Sequence, residues 1–377
     1  MDLLEKKKEF SPTICLTHKC NLSCVYCYQT HSSGNISIEI AKKCIDNIFE
    51  NIPAESERIK ISLIGGEPLL AFDIIKEIYS YTKEKYTEQN YYFFITTNGT
   101  INSPEIKQWL IAHRKDFIVS LSLDGLPEVH NKNRCNSYSL IDVPFYLENW
   151  PEQSIKMTLT EDSIDYLFES IKYIYGLGFK KIAGANFFTG DFDWNKDSFI
   201  KRLIPQLKLL EEFYLDHDEL YPVSFFRFPI EKCTVNGIFQ KKCGIGKGTP
   251  FYDIDGSVYP CIYVTPLSFS REELLDFKKI DLKNDLLFKD NDCAKNCYLY
   301  PACPDCIGSN YKVHKCFSKK DKSKCKFYKL FALFSADLIG KKILKNPERY
   351  PFRNQQIEAI KMINKLIMPE FSLFFDL

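Results

Sequence analysis

The segment Cys20-Asn-Leu-Ser-Cys24-Val-Tyr-Cys27 decides how the rest of the chain is interpreted. Its spacing is C-x3-C-x2-C, so three thiols share one short loop directly after a β-branched run that predicts a strand. Three thiolates can hold a 4Fe–4S cluster and leave one iron open for a small molecule. A structural zinc site instead usually closes with a fourth Cys or His. His18 is near enough in sequence to serve, so this segment alone leaves a zinc site open as an alternative.

Around this segment, short β-branched or aromatic runs alternate with amphipathic helical patterns. Such alternation predicts an α/β fold with a parallel sheet. Six repeats fit a partial (β/α)6 TIM barrel, a fold whose chemistry lies at the carboxyl ends of the strands. The predicted strands are Thr13–Leu16, Ile59–Ile64, Tyr91–Thr96, Ile118–Leu123, Ser154–Leu159 and Lys180–Ala185, and the clearest helical patterns between them are Ser37–Phe49, Phe72–Lys85, Pro104–His113 and Ser163–Tyr175.

The cysteine content points to metal. No apolar stretch reaches the roughly 20 residues that span a bilayer, and the N-terminus lacks the apolar core of a secretory signal. We therefore expect a cytoplasmic protein without a membrane segment. In that reducing compartment, 15 cysteines favour metal sites over disulfides. Nine of them lie in residues 230–330, where long periodic segments are few, so we expect metal to organise this region.

Length and charge bound the remaining possibilities. A chain of 377 residues predicts two or three domains, and 45% hydrophobic residues are typical of a globular protein. With 50 basic and 49 acidic residues, nothing favours nucleic acid as a partner. The predicted divisions are a barrel over 10–190, a linker helix region over 191–229, a cysteine-rich domain over 230–330 and a helical tail over 331–377. Helical patterns occupy Asp197–Leu215, with an expected kink at Pro205, and Asn354–Leu366.

The cysteine triplet, with Tyr26 before its third cysteine, resembles the signature of the radical S-adenosylmethionine (radical SAM) superfamily. Segments at successive predicted strand ends resemble those of the same family: Gly65-Gly66-Glu67-Pro68 resembles its GGEP motif, followed by Thr96-Thr97-Asn98-Gly99 and by Ser120-Leu-Ser122-Leu-Asp124-Gly125 with His130, Asn133 and Arg134. The resemblance implies that Cys20, Cys24 and Cys27 hold a 4Fe–4S cluster. It implies a site for S-adenosylmethionine formed by Tyr26, Gly65, Gly66, Glu67, Asn98, Ser122, Asp124, Arg134 and Asn186. Strand-end capping and surface ion pairing are the structural alternative for Ser122, Asp124 and Arg134.

The second cysteine region resembles the SPASM domain, a C-terminal extension of radical SAM enzymes that holds auxiliary iron–sulfur clusters. Cys243, Gly256 and Cys261 match its opening pattern C-x9–15-G-x4-C, and the later cysteines match its close in order and central spacing. The resemblance implies two auxiliary 4Fe–4S clusters, the first held by Cys233, Cys243, Cys261 and Cys306, the second by Cys293, Cys297, Cys303 and Cys325. Cys316 is a rival ligand. Read alone, the same cysteines also fit a zinc module.

The function implied by this resemblance is peptide modification. S-adenosylmethionine would be cleaved to a 5′-deoxyadenosyl radical, and no catalytic side chain of this chain is assigned beyond the cluster and cofactor site. We expect an oxidative crosslink, a thioether or a carbon–carbon bond, in a ribosomally synthesised precursor peptide. Peptide epimerisation and sulfatase-maturase-like oxidation of Cys or Ser to formylglycine are alternatives. Maturases place an Asp directly after the second SPASM cysteine, where this chain has Ile262, and Asp253 and Asp255 are expected turn residues before Gly256.

The implied partners are the precursor peptide and an electron donor such as flavodoxin or ferredoxin. About ten residues precede the first predicted strand, which leaves the leader peptide to be recognised by the barrel, by a separate leader-binding protein, or by the C-terminal helices. Two hypotheses from other functional classes are an iron–sulfur electron carrier and a zinc scaffold. An electron carrier would not need the segments that follow predicted strands two to four.

Overall fold

The structure, a computed structural model, describes residues 9–27, 29, 31–187, 194–234 and 240–375. The strands are β1 (Glu9–Phe10), β2 (Thr13–Thr17), β3 (Arg58–Gly65), β4 (Tyr91–Thr97), β5 (Phe117–Leu121), β6 (Ile155–Leu159), β7 (Ile182–Phe187), β8 (Phe251–Tyr252) and β9 (Val258–Tyr259). All six predicted strands are present, and each differs from its prediction by at most two residues at either end.

The α-helices account for most of the remaining regular structure. They are α1 (Ile38–Glu50), α2 (Phe72–Lys85), α3 (Pro104–Ala112), α4 (Pro127–Asn133), α5 (Val143–Asn149), α6 (Leu167–Gly176), α7 (Asp197–Asp216), α8 (Arg271–Lys279), α9 (Asn291–Asn296), α10 (Ile307–His314), α11 (Cys325–Lys345), α12 (Arg353–Leu366) and α13 (Ser372–Phe375). Short 3₁₀ helices lie at Pro68–Ala71, Tyr138–Leu140, Glu161–Tyr166, Ser224–Phe226, Ile230–Thr234, Asp285–Phe288, Pro347–Arg349 and Met368–Phe371. Within these residues, no helix has the length and apolar character to cross a membrane.

The chain divides into two compact units. The first contains the residues up to Leu123, His130–Gln153 and Gly244–Lys283. Its sheet has the strand order β5-β4-β3-β2-β8-β9, with β1 also paired to β3, and every pair except β8–β9 is parallel. Alternate residues of β3 face the core, where Ile61 and Leu63 are fully buried.

Local signals explain why the helices of this unit start where they do. The Ser37 hydroxyl accepts a hydrogen bond from the Ile40 amide at the start of α1, and Ser103 does the same for Ile106 at the start of α3. Pro104 occupies the first turn of α3, where its missing N–H costs nothing. Helices α1 and α2 pack together, and α1 also packs on β2.

The second unit contains Asp124–Val129, Ser154–Cys243 and the residues from Asn284 onward. Strands β6 and β7 form a parallel pair, and α6 packs on α7. Helix α7 runs through Pro205 as one helix from Asp197 to Asp216. The four predicted domain divisions remain predictions, but one structural fact bears on them: Gly244–Lys283, from the cysteine-rich region, belongs to the unit that contains the first sheet.

The sequence patterns missed α11 (Cys325–Lys345) as a distinct element. Seven consecutive residues of this helix, from Leu330 to Ala336, are buried. A helix buried on all sides shows no apolar stripe with a 3.6-residue period, which is the signal that sequence analysis depends on. Helix α11 packs against α7, α12 and the 3₁₀ turn Ser224–Phe226, all in the second unit.

Candidate active site at the carboxyl ends of the strands

The three cysteines of the N-terminal motif lie on a loop that is closed at its base. The loop leaves β2 after Thr17 and returns at Asn35, which forms an antiparallel bridge with Thr17. The His18 amide donates to the Gly34 carbonyl at 2.9 Å, and the Ser32 amide donates to the His18 carbonyl at 3.4 Å. The three cysteines therefore lie on a single loop whose two ends are bonded to each other at the carboxyl end of β2.

The donor set suits an iron–sulfur cluster. Cys20 and Cys24 are partly exposed and Cys27 is exposed, so the thiols are accessible. Burial raises the pKa of the Cys20 thiol, and the nearby Glu67 and Cys27 raise it further, since like charges would be close together. A metal centre would relieve this, because iron binds thiolates and neutralises their charge. His31 Nε2 lies 3.5 Å from Cys27 Sγ.

Gly65 and Gly66 stand where no side chain fits. A Cβ on Gly65 would lie 2.5 Å from the Thr17 carbonyl oxygen, and one on Gly66 would lie 2.3 Å from the Lys19 carbonyl oxygen and 2.8 Å from Cys20 Cβ. The Gly66 amide donates to Thr17 O at 3.0 Å, and the Glu67 amide donates to Lys19 O at 2.9 Å. The end of β3 is thus bonded directly to the start of the cysteine loop.

Glu67 joins the end of β3 to the end of β4. Its carboxylate is buried and accepts hydrogen bonds from the Leu69 amide at 3.1 Å, the Thr97 hydroxyl at 2.8 Å and the Asn98 amide at 2.7 Å. Burial raises its pKa from the ordinary 4.5 to about 7, against the opposing effects of these donors and of Arg134. These contacts make Glu67 a brace between two strand ends.

Two more predicted site residues lie at the same edge of the sheet. The Asn98 side-chain amide donates to Asn21 Oδ1 at 2.9 Å, which ties the end of β4 to the loop residue after Cys20. The Ser122 amide donates to the Thr97 carbonyl at 2.9 Å, and its side chain is largely buried. Parallel pairing of β2 to β5 is what brings these segments together.

The segment around Arg134 holds the other side of the cysteine loop. The Val25 amide donates to the Asn133 carbonyl at 3.0 Å, and the Cys135 thiol donates to the Ser23 carbonyl at 3.0 Å. The Arg134 guanidinium carbon lies 5.3 Å from the centre of the Tyr26 ring, a cation–π arrangement. Tyr26, within the loop, and Arg134, beside it, are therefore in contact.

Asp124 and Asn186 belong to the second unit. Asp124 is fully buried, and its carboxylate accepts a hydrogen bond from the Thr158 amide of β6 at 3.0 Å, a contact of the strand-end capping kind. Asn186 lies in β7 opposite Thr158 in the strand register. The side chain of Asn186 lies outside the described part of the structure, so its assignment to the cofactor site stays a prediction.

The predicted auxiliary ligands are distributed over both units. Cys261 belongs to the first unit, and Cys233, Cys243, Cys293, Cys297, Cys303, Cys306 and Cys325 belong to the second. Cys233 interacts electrostatically with Cys297 and Cys303, which the sequence pattern had placed in the other cluster. The Cys293 sulfur lies with carboxylate oxygens of Asp290 and Asp292, all within 4.8 Å. The sorting of ligands between two clusters therefore remains a prediction.

Comparison with known proteins connects this geometry to a family. Residues 14–201 match the family model described as the radical SAM superfamily. This chain belongs to the radical SAM superfamily. It therefore binds S-adenosylmethionine and a 4Fe–4S cluster, and the cysteine loop packed against the Gly65-Gly66 strand end offers three accessible thiols for that cluster.

Several relatives are similar to this radical SAM protein. A cysteine-type anaerobic sulfatase-maturating enzyme of Clostridium perfringens is 25% identical over 82% of this chain and 84% of its own length. The subtilosin biosynthesis protein AlbA of Bacillus subtilis is 34% identical over 32% of this chain and 25% of its own length. An uncharacterised protein of Methanocaldococcus jannaschii is 29% identical over 45% of this chain, which spans 59% of that protein.

Solved structures share the fold. Native anSMEcpe with bound AdoMet and Kp18Cys peptide superposes with a TM-score of 0.68 at 20% identity, over 88% of this chain and 98% of that one. Streptococcus suis SuiB bound to precursor peptide SuiA superposes with a TM-score of 0.58 at 15% identity, over 84% of this chain and 76% of that one. The predicted fold class, a partial barrel with a cysteine-rich SPASM extension, is confirmed.

We expect Arg134→Ala to weaken the binding of S-adenosylmethionine. A lost charged hydrogen bond costs about 1.5–3 kcal/mol, which is roughly a tenfold to hundredfold rise in Kd. Isothermal titration of the anaerobically reconstituted protein measures it. Lys132→Ala, which removes an exposed cation at the end of helix α4 two residues before Arg134, is the matched control and should leave affinity unchanged. An Arg134→Ala protein with the same affinity as the parent would remove Arg134 from the site.

Glu67→Gln should alter how stability depends on pH. Because burial raises the folded-state pKa of Glu67 above 4.5, the parent binds more protons folded than unfolded and loses stability as pH rises from about 4.5 to about 7. A shift of that size corresponds to roughly 3 kcal/mol. The free energy of unfolding, measured with urea at pH 5, 6, 7 and 8, should change less with pH in Glu67→Gln than in the parent. Glu84→Gln, which replaces an exposed carboxyl on α2, should keep the pH dependence of the parent. The same pH dependence in Glu67→Gln as in the parent would contradict a raised pKa of Glu67 in the folded protein.

Proposed function

We propose that this chain is a peptide maturase that uses radical SAM chemistry to form an oxidative crosslink, a thioether or a carbon–carbon bond, within a ribosomally synthesised precursor peptide. The observation that carries the peptide part is the end-to-end likeness to an enzyme solved with both AdoMet and a peptide, together with the cysteine-rich region. An electron carrier without a substrate would not need Gly65 and Gly66 packed on the cysteine loop, the Glu67 brace and the Arg134 segment at one sheet edge.

The chain's own residues prepare the site. When bound, the cluster and S-adenosylmethionine supply one-electron cleavage and hydrogen-atom abstraction from an unactivated position. Cys20, Cys24 and Cys27 would hold the cluster, while Gly65 and Gly66 let the end of β3 pack directly against the backbone of the cysteine loop. Glu67 keeps the ends of β3 and β4 at a constant separation, so that the site is organised before the cofactor arrives.

The proposed crosslink is an oxidation and needs an electron acceptor. Removal of one hydrogen atom from a peptide carbon leaves an odd electron. Closing a bond from that carbon to a thiol sulfur or to a second carbon releases one proton and one further electron. We propose that auxiliary clusters on Cys233, Cys243, Cys261, Cys293, Cys297, Cys303, Cys306 and Cys325 accept this electron. An external flavodoxin or ferredoxin would supply the electron that starts each turnover.

Sulfatase maturation is the second candidate, favoured by the similarity to the Clostridium perfringens enzyme along most of both chains. Two features of this chain weigh against it. Ile262 follows Cys261, at the position where maturases carry the Asp that acts as their base. Asp253, the buried carboxylate of the preceding hairpin, accepts at Oδ1 from His18 at 2.8 Å and from the Ile254 amide at 2.8 Å, so these contacts give it a structural role in the turn.

Mass spectrometry of the cognate peptide after anaerobic turnover distinguishes these reactions, with the precursor sought as a short open reading frame beside the gene. We expect the loss of two hydrogens per peptide, since the crosslink removes one hydrogen atom, one proton and one electron. Iodoacetamide labelling then separates the products: a thioether blocks alkylation of the cysteine, and a carbon–carbon link leaves it alkylatable. Loss of sulfur from a cysteine, or a loss of two hydrogens at a serine that then reacts with a hydrazide as an aldehyde does, would establish formylglycine formation. Deuterium uptake from solvent without net hydrogen loss would establish epimerisation. Either of these two results would overturn the crosslink.

The recognition of the leader peptide is a separate proposal. We propose that the barrel, the C-terminal helices or a distinct leader-binding protein performs it. Pull-down of a full-length precursor, compared with a precursor that lacks its leader, tests whether this chain alone suffices. Tight binding of the full-length precursor alone would make a separate protein unnecessary, and equal weak binding of both would require one.

A further inference from the structure

One imidazole connects three segments of the first unit. His18 stands at the entrance of the cysteine loop, two residues before Cys20. Its Nε2 lies 2.8 Å from Asp253 Oδ1 in the hairpin formed by β8 and β9, and its Nδ1 lies 3.2 Å from the Ser32 hydroxyl at the exit of the loop. Loop entrance, loop exit and hairpin therefore meet at a single ring.

The His18–Asp253 contact is sheltered from solvent. The two side chains are only 14% and 10% exposed, so their hydrogen bond is screened far less than a surface pair. The buried Cys15 thiol lies beside them, and burial together with Asp253 raises its pKa to about 12, which keeps it protonated. Because a carboxylate only accepts hydrogen bonds, this contact requires the imidazole tautomer that carries its N–H at Nε2.

Backbone packing places the hairpin against the loop independently of this hydrogen bond. Strand β8 pairs with β2, with Thr13 opposite Phe251. The hairpin turn requires the left-handed backbone of Gly256, whose φ is +81°. Ile254 of that turn reaches the exit of the cysteine loop, where its Cδ1 occupies the space that a Cβ on Gly34 would need, only 2.4 Å away. The hairpin turn therefore packs against the end of the cysteine loop.

The loop between Thr17 and Asn35 needs such a fastening. Its described residues form no helix and no strand, so the positions of the three thiols depend on isolated hydrogen bonds rather than on a regular ladder. A histidine serves well here because its two ring nitrogens point in different directions and can bond two partners at once. Gln would reach Asp253 but would leave Ser32 unbonded.

We propose that His18 and Asp253 are positioning residues that fasten the cysteine loop to the β8–β9 hairpin, so that the cluster-binding loop and the segment leading to Cys261 move as one piece. This inference depends on the family's cluster and on the contacts above, and it is independent of which peptide bond is formed. The expected effect is reciprocal. Replacing His18 should make the hairpin that carries Asp253 more mobile, and replacing Asp253 should make the loop that begins at His18 more mobile.

Hydrogen–deuterium exchange on the reconstituted full chain tests this reciprocity. His18→Ala should speed exchange in the hairpin, residues 251–259, and Asp253→Ala should speed exchange in residues 18–34, each about tenfold, the factor expected for one lost hydrogen bond. The double variant should be no faster than either single one. Asp255→Asn is the matched control: it sits in the same turn, where its carboxylate accepts from Ser257, and it should affect only the turn.

Spectroscopy adds a readout that general loosening would not reproduce. The EPR signal of the reduced triplet cluster should become heterogeneous in His18→Ala, and its shift on adding S-adenosylmethionine should shrink, while iron content stays at the parent level. His18→Gln, which keeps the bond to Asp253, should recover most of the parent signal. Three results would each overturn the proposal. They are exchange changes confined to the mutated segment, additive effects in the double variant, and zinc bound by Cys15, His18 and Asp253 in the purified protein.

Discussion

Replacing Cys20, Cys24 and Cys27 together by alanine is expected to remove one 4Fe–4S cluster and to abolish the release of 5′-deoxyadenosine from S-adenosylmethionine. The three thiols are accessible on the closed loop at the strand ends, and the triple variant has no cysteine left in this loop to hold a cluster. With two auxiliary clusters, iron should fall from about twelve to about eight per chain. Iron analysis and chromatography of dithionite-reduced reactions measure both effects.

The matched control for the triple variant is Cys44→Ala. Cys44 is a buried thiol in α1, where removal of one sulfur leaves a small cavity but no missing ligand. It should keep the full iron content and the slow release of 5′-deoxyadenosine without peptide. Parent iron near four per chain would contradict the two auxiliary clusters, and S-adenosylhomocysteine as the sole product would indicate methyl transfer instead.

Gly66→Ala is expected to have the second largest effect. The new Cβ would lie 2.3 Å from the Lys19 carbonyl oxygen and 2.6 Å from the Lys19 carbonyl carbon, both backbone atoms that no rotamer change can move. Overpacking of this kind typically costs about 1–3 kcal/mol. Since the obstructed backbone leads directly into Cys20, the strain should also displace the first thiol. We expect at least a tenfold loss of 5′-deoxyadenosine release and a lower midpoint in urea unfolding.

Gly340→Ala in α11 is the control for Gly66→Ala. A Cβ there would meet only Ile360 Cδ1 at 3.5 Å, an ordinary contact, and alanine favours a helix interior over glycine by up to about 1 kcal/mol. It should therefore unfold at equal or higher urea and keep its activity. A Gly66→Ala protein that matched Gly340→Ala in both measurements would show that the strand end is not held against the loop as described.

The sequence by itself determined the α/β class, the six barrel strands and the positions of the site segments. Each of these is a local signal: β-branched runs separated by amphipathic helices predict strands, and C-x3-C-x2-C or a Gly-Gly pair is read within a few residues. Because carboxyl ends of parallel strands share one edge, the sequence also predicted that the segments after β2, β3, β4 and β5 lie together. The pairing of these four strands agrees with that prediction.

Tertiary structure alone decided which partner each side chain has. Glu67 looks like a cofactor ligand in a motif, yet its described bonds go to Leu69, Thr97 and Asn98, because pairing of β3 with β4 puts those donors beside it. His18 and Asp253 are 235 residues apart and meet only because β8 joins the sheet next to β2. Periodicity reports the environment of a residue along its own element, whereas contacts between distant elements depend on how the sheet is assembled, which no local pattern encodes.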